Sequence, residues 1–265
     1  MTANKNQTIV SANIDQFRGK TCIVGIDEAG RGPVLGPMVY GAGICLSGKE
    51  TDLANNLCVA DSKTLTDEKR RSIFDSMQNE PHCQHFAYIL EILSPYYIST
   101  SMLRRSKYNL NEISHDTATK LVYVDTVGQP ESYQKKLETR FPMVDFCVSK
   151  KADSLYPVVS AASICAKVTR DKIIDEWKCE EFSDRAENED KNPIWGSGYP
   201  SDPTTKKFMD ENLHPIFGYP TLVRFSWATT QELLEKKGVK FTWLGRRGQK
   251  RSGDQKYSFD KIIFW

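Results

Sequence analysis

No stretch of this 265-residue chain approaches the roughly 20 consecutive apolar residues needed to span a bilayer, and its largely polar opening, Met1 to Arg18, holds no apolar core of signal-peptide length. A soluble intracellular protein is expected. None of its seven cysteines forms a C-x-x-C pair, and their number is odd, which excludes a disulfide framework and favours free thiols in a reducing compartment. Cys22, Cys45, Cys147 and Cys165 lie within apolar runs and are expected as small core residues. Net charge is also nearly absent: 36 Lys and Arg against 34 Asp and Glu leave +2, which says nothing about nucleic acid. Its distribution says more. Nine basic residues against two acidic ones from Lys236 onward give a local +7 and leave the preceding residues at −5, a pattern suited to collecting cations while approaching a polyanion.

The most informative stretch is Gly25 to Gly36, G-I-D-E-A-G-R-G-P-V-L-G. The apolar, β-branched run Thr21 to Ile26 predicts a buried strand, so Asp27 sits at a strand end and is held rigidly. Successive strand residues face opposite sides, so Glu28 joins Asp27 in one site only if the strand has already begun to turn. Gly30 and Gly32 flank Arg31 and can bring backbone within hydrogen-bonding distance of a ligand. Taken alone, the Asp-Glu pair reads first as a polar turn, and only the whole twelve-residue string argues for a site.

Along the rest of the chain, strands are predicted at 38–46, 86–93, 121–124 and 143–149. Helices are predicted at 67–77, 98–110 running into 111–120, 130–139, 157–177, 203–212 and 228–237. Residues 180–192 carry six acidic residues and read as a solvated loop. The expected organisation is a flexible N-terminus over 1–19, a catalytic domain over 20–200 and a helical part over 201–237 completing a substrate groove. A basic tail over 238–265 ends in Ile262-Ile263-Phe264-Trp265, an apolar end suited to contact with a partner.

The string Asp27 to Tyr40, D-E-A-G-R-G-P-V-L-G-P-M-V-Y, resembles the opening motif of the type 2 ribonuclease H family (ribonuclease HII), in particular its eukaryotic catalytic subunit. The likeness continues in Asp61-Ser62-Lys63, Lys107-Tyr108-Asn109-Leu110-Asn111, Asp125-Thr126-Val127-Gly128, the stretch Lys150 to Pro157, Gly198-Tyr199-Pro200 and Arg224-Phe225-Ser226-Trp227. It implies an α/β fold, a ribonuclease H-like mixed sheet flanked by helices with a small helical C-terminal appendage. The implied activity is cleavage of RNA in RNA·DNA hybrids and incision 5′ of single ribonucleotides in duplex DNA, leaving 5′-phosphomonoesters. The resemblance further implies a nuclear heterotrimer with two non-catalytic subunits and a place in replication and ribonucleotide excision repair.

By the same resemblance Asp27, Glu28, Asp125 and Asp153 are the catalytic and metal-binding carboxylates, holding two Mg²⁺ ions with Mn²⁺ as a possible substitute. Gly30, Arg31 and Gly32 sense the ribonucleotide, and Tyr199 packs on the next sugar. Lys63 contacts phosphate, Asn109 backbone or sugar, and Arg224 substrate. Local sequence keeps other roles open: a solvated lysine for Lys63, a helix cap for Asn109, a core tyrosine for Tyr199. The carboxylates come from three separated segments, each where an apolar run gives way to a turn. Four such groups stay ionised together only beside cations, and hard divalent ions match oxygen ligands. One departure stands out. Only five residues separate Thr119 from Asp125, where the family has a longer helix, a turn and a strand, so a catalytically silent nucleic-acid-binding subunit is the alternative.

Overall fold

The structure is a computed structural model describing residues 5–57, 59, 64–106, 108–121, 134–135, 137–139, 147–179, 181 and 194–239. Four strands form an antiparallel sheet in the order β1-β4-β3-β2: β1 (Gln7–Val10), β2 (Cys22–Ala29), β3 (Met38–Leu46) and β4 (Phe86–Leu93). The register runs from Cys22↔Leu46 to Ala29↔Val39 between β2 and β3, and from Met38↔Leu93 to Cys45↔Phe86 between β3 and β4. Of the other two expected strands, residues 122–124 and 143–146 lie outside the described residues, and 147–149 are irregular.

β1 corrects the expectation of a flexible N-terminus over 1–19. Thr8-Ile9-Val10 is a β-branched triplet that pairs readily with β4. The chain after it is pinned: the Asn13 amide donates to the carbonyls of Cys83 and Phe86 at 2.5 and 2.8 Å, and Phe17 is buried.

Helix α1 (Glu50–Asn55) precedes α2 (Asp67–Met77), which begins where its Thr66 cap accepts the Lys69 amide. The single helix expected over 98–120 is instead two, α3 (Pro95–Met102) and α4 (Leu110–Leu121). Asn109 separates them. Its side-chain oxygen accepts from the Asn111 and Glu112 amides at 2.9 and 3.2 Å while the Glu112 carboxylate accepts from the Asn109 amide at 2.7 Å, a reciprocal capping box. Asn109 is thus a helix cap.

The short α5 (Ala152–Leu155) leads into α6 (Pro157–Asp175), the long central helix. Its first turns lie against strand glycines so closely that a Cβ on Gly25 would sit 2.5 Å from the Val159 nitrogen and one on Gly41 2.6 Å from the Ala162 carbonyl oxygen. That approach stacks α6 on one face of the sheet, with Val39, Leu90, Ile164 and Cys165 in the core between them. Ile26, Tyr40, Ala42, Ile98 and Ile113 fill a second core on the other face.

Helices α7 (Pro203–Glu211) and α8 (Ala228–Lys237) complete the described chain. Phe208, Met209, Leu222 and Val223 join the first core, so residues 201–237 share it with the sheet. Cys45 and Cys165 are buried as expected. Cys147 is a correction: it is exposed, its thiol 3.2 Å from the Tyr156 hydroxyl, because residues 147–149 form no buried strand. Among the described residues, no helix is long and apolar enough to cross a membrane.

Candidate active site

β2 stays in register through Ala29, so the strand does not turn before Glu28. This corrects the expected turn. Asp27 shares its face with Gly25, against α6, whereas Glu28 shares the face of Val24 and Ile26, towards α4. The two carboxylates nevertheless border one cleft of 740 Å³, because they sit where the sheet ends and the glycine loop begins. Asp27 is only 8% exposed, and its carboxylate accepts the Glu28 amide at 2.8 Å. Glu28 lies 3.7 Å from the Arg31 guanidinium, which in turn donates to the Asn111 side chain at the start of α4.

Asp153 is 4% exposed, in the first turn of α5. The turn enters through Lys151 at φ +56°, a left-handed conformation uncommon for a non-glycine residue, and the Ser160 hydroxyl of α6 donates to the Asp153 carbonyl. Asp125 and Lys63 lie outside the described residues. Among the described residues no group of three His, Cys, Asp or Glu is placed to hold a metal ion. The donors that are described, Asp27, Glu28 and Asp153, are all oxygen ligands, the chemistry of hard divalent cations.

The Gly30 to Pro37 loop is held from beneath by two buried arginines. Arg224, 0% exposed, donates to the carbonyls of Gly30, Arg31 and Gly36 at 2.6, 3.1 and 2.8 Å. Arg170 donates to Leu35 and Pro37 at 3.1 and 3.2 Å. Arg224 thus corrects the expectation of a substrate contact: it has no surface left for one, since every nitrogen of its fork serves the loop. Burial, then the neighbouring Arg170, pulls the Arg224 pKa down to about 9, and burial lowers that of Arg170. Sequence reasoning passed over Arg170. Its signal was an arginine between Val168 and Ile173 on the buried side of an apolar helix.

Tyr199 is 49% exposed and stands over the loop; a Cβ on Gly32 would lie 3.1 Å from its ring. It is presented, not buried in the core. Its segment is tied down on both sides: the Gly198 carbonyl accepts the Val34 amide at 2.7 Å, and Asp202 accepts from the Ser197 amide, the Ser197 hydroxyl and the Thr204 amide at 2.6, 2.7 and 2.9 Å. These bonds, the Ser197 hydroxyl first, bring the Asp202 pKa down to about 2. A carboxyl depressed on folding contributes its anchoring above the unfolded value and loses it as pH falls through the folded one. Hydrogen-exchange protection at the Ser197 and Thr204 amides, measured relative to the intrinsic rate at each pH, should therefore stay high at neutral pH and fall between about pH 4 and 2. Asp202→Ala should release both amides at neutral pH, and unchanged exchange there would refute the anchor.

A paired-charge rim closes the cleft, with Arg71 of α2 bridging Asp67 at 2.9 Å and Asp175 of α6 at 2.8 Å. Both pairs are exposed enough to be weakened by salt.

An α/β core with strand-end carboxylates beside a glycine-walled cleft places the protein in the ribonuclease H-like class. The ribonuclease HII family profile matches residues 24–230. The chain belongs to that family, whose members are endoribonucleases. It is 46% identical over 252 residues to the A subunit of ribonuclease H2 from Homo sapiens, spanning 90% of this chain and 81% of that one. The crystal structure of ribonuclease H2 from Pyrococcus horikoshii superposes with a TM-score of 0.67 at 29% identity, over 82% of this chain and 98% of the other. Bst-RNase HIII in complex with Mn²⁺ shares the fold, with a TM-score of 0.53 at 20% identity over 85% and 73% of the two chains.

Proposed function

We propose that this chain hydrolyses the RNA strand of RNA·DNA hybrids and incises duplex DNA on the 5′ side of single ribonucleotides, leaving 5′-phosphomonoesters. The observation that carries this reading is the Gly30-Arg31-Gly32 segment lining the cleft between Asp27 and Tyr199, its amides without an acceptor among the described residues. RNA differs from DNA by one hydroxyl, and bare backbone at close range is suited to detecting it. Asp27, Glu28 and Asp153, with Asp125, are the residues that would hold two Mg²⁺ ions, or Mn²⁺ in their place, which when bound supply charge neutralisation at the scissile phosphate and an acidified water. Asp27 and Glu28 would hold that charge at a fixed strand end, and Asp153 from the first turn of α5. The glycine loop grips the ribose, and Tyr199 packs on the sugar that follows.

Likeness to one named component of ribonuclease H2 supports assembly with non-catalytic partners, two in our proposal, with the basic tail from 238 onward as a contact. A nuclear location is part of the same proposal, motivated by the likeness to the eukaryotic A subunit. The direct test incubates the full chain, with and without such partners, with duplex DNA carrying one ribonucleotide and Mg²⁺. A nick 5′ of the ribonucleotide is expected; no nick in either case rejects the proposal, and equal cutting of all-deoxy duplex rejects the ribose sensor.

Tyr199→Ala is expected to reduce cleavage at single ribonucleotides about tenfold more than in long hybrids, a size in keeping with one lost aromatic contact to a nucleotide. Equal losses on both substrates would contradict its role.

One observation favours a second reading, a silent nucleic-acid-binding protein. α4 runs to Leu121, leaving three residues before Asp125. Mg²⁺ titration separates the two: weak or absent binding by a protein of unchanged circular dichroism supports silence, and saturable binding supports the nuclease.

A further inference from the structure

Seven of the eight carbonyls from Gly30 to Pro37 accept hydrogen bonds from beneath the loop. Gly30, Arg31 and Gly36 bond to the Arg224 side chain, Val34 to the Arg224 amide, Leu35 and Pro37 to Arg170, and Gly32 to the Trp227 indole N–H at 3.2 Å. The amides divide differently. Those of Val34, Leu35 and Gly36 are paired with Gly198 and Leu222 carbonyls, whereas those of Gly30, Arg31 and Gly32 have no acceptor among the described residues. Among the described residues, three consecutive N–H groups therefore remain without an acceptor in a stretch that lines the cleft and whose three carbonyls are all bonded to side chains.

We propose that Arg170, Arg224 and Trp227 are positioning residues that fix the polarity of the glycine loop, so that it meets its ligand as a row of donors and reads the ribose oxygen as an acceptor. The inference rests on the ribonucleotide reading above and deepens it. A peptide left to itself can turn either its N–H or its C=O towards a ligand, and glycine makes that rotation easy. Drawing each carbonyl onto a buried donor removes the choice. Arginine suits the task because its planar fork serves three carbonyls at once from one side chain, whereas a lysine ammonium is a point donor. Burying a guanidinium is costly without a counter-charge, and Arg224 has no ion-pair partner among the described residues; the loop carbonyls are what satisfies it. Trp227 is drawn into the same unit, with the Arg224 guanidinium 4.9 Å from its ring.

A merely structural role predicts something different. Loss of a fold-stabilising arginine would lower the active fraction and weaken every substrate alike. Loss of loop polarity would weaken only the preference for ribose. The experiment uses the full chain carrying Asp27→Asn, so that binding is read without cleavage, in Mg²⁺. Affinities for duplex DNA with one ribonucleotide and for the matching all-deoxy duplex are measured by fluorescence anisotropy. Asp27→Asn should prefer the ribonucleotide duplex, and adding Arg224→Lys should shrink that preference at least about tenfold while leaving the all-deoxy affinity unchanged. Adding Trp227→Phe, which keeps the ring and deletes one donor, should shrink it about threefold. Where Arg224→Lys fails to fold by circular dichroism, Trp227→Phe decides by the same criterion. Retained preference, or a parallel loss on both duplexes, overturns the proposal. An Asp27→Asn protein with no preference of its own overturns the ribonucleotide reading first, and the proposal falls with it.

Discussion

Asp27→Asn should abolish cleavage, lowering kcat at least about 10³-fold, while substrate affinity changes little. The size follows from what the group does. A carboxylate that holds a divalent cation against a scissile phosphate contributes several kcal/mol of charge stabilisation, and each 1.4 kcal/mol is about a decade in rate. Asparagine keeps the shape and one oxygen, so packing against α6 and the bond from the Glu28 amide can survive. What disappears is the negative charge, at a position 8% exposed where little water can replace it. Single-turnover kinetics with saturating enzyme separates rate from binding. Retention of more than a tenth of the wild-type rate would remove Asp27 from the chemistry, and a matching loss of thermal stability would turn the effect into a folding defect.

Local patterns made several elements readable. β2 and α2 follow from a β-branched run and from a Thr66 cap before an acidic first turn. The break between α3 and α4 was also written in the chain, since Asn109 and Glu112 have capping-box spacing; the helical periodicity on either side outweighed it. β1 went unread because its four residues lie in a polar neighbourhood, and only the distant β4 makes them a strand. Arg224 was assigned to substrate through the resemblance of Arg224-Phe225-Ser226-Trp227 alone, and no local pattern marks it as a buried arginine. Its burial depends on carbonyls more than 185 positions away in the chain, a fact that no local window holds. The same limit applies to the opposed faces of Asp27 and Glu28, since only the pairing of Ala29 with Val39 shows that the strand runs on past them. Residue types announced the chemistry, and long-range contacts decided which of them touch the cleft.

Gly30→Ala should destabilise the protein by about 3–5 kcal/mol and lower Tm by roughly 10 °C. Two costs combine. Gly30 has φ +82°, where a Cβ costs about 1–2 kcal/mol on its own, and the new methyl would sit 2.1 Å from the Arg170 Nε, 2.4 Å from its Cδ and 2.8 Å from the Pro37 carbonyl oxygen. Arg170 cannot simply step aside, because its bonds to Leu35 and Pro37 hold it and the surrounding core buries it. Gly48 isolates the first cost. It has the same φ of +82° with nothing within 4 Å of its would-be Cβ, so Gly48→Ala carries the conformational penalty alone, about 1–2 kcal/mol. The two variants, melted side by side, should differ by the clash with Arg170. Activity should divide the same way, with Gly48→Ala near wild type and Gly30→Ala down by about 10² or more, because a loop displaced by an ångström misplaces every donor it carries. Equal melting temperatures for the two would mean that Arg170 yields freely, and the loop would then not be clamped at all.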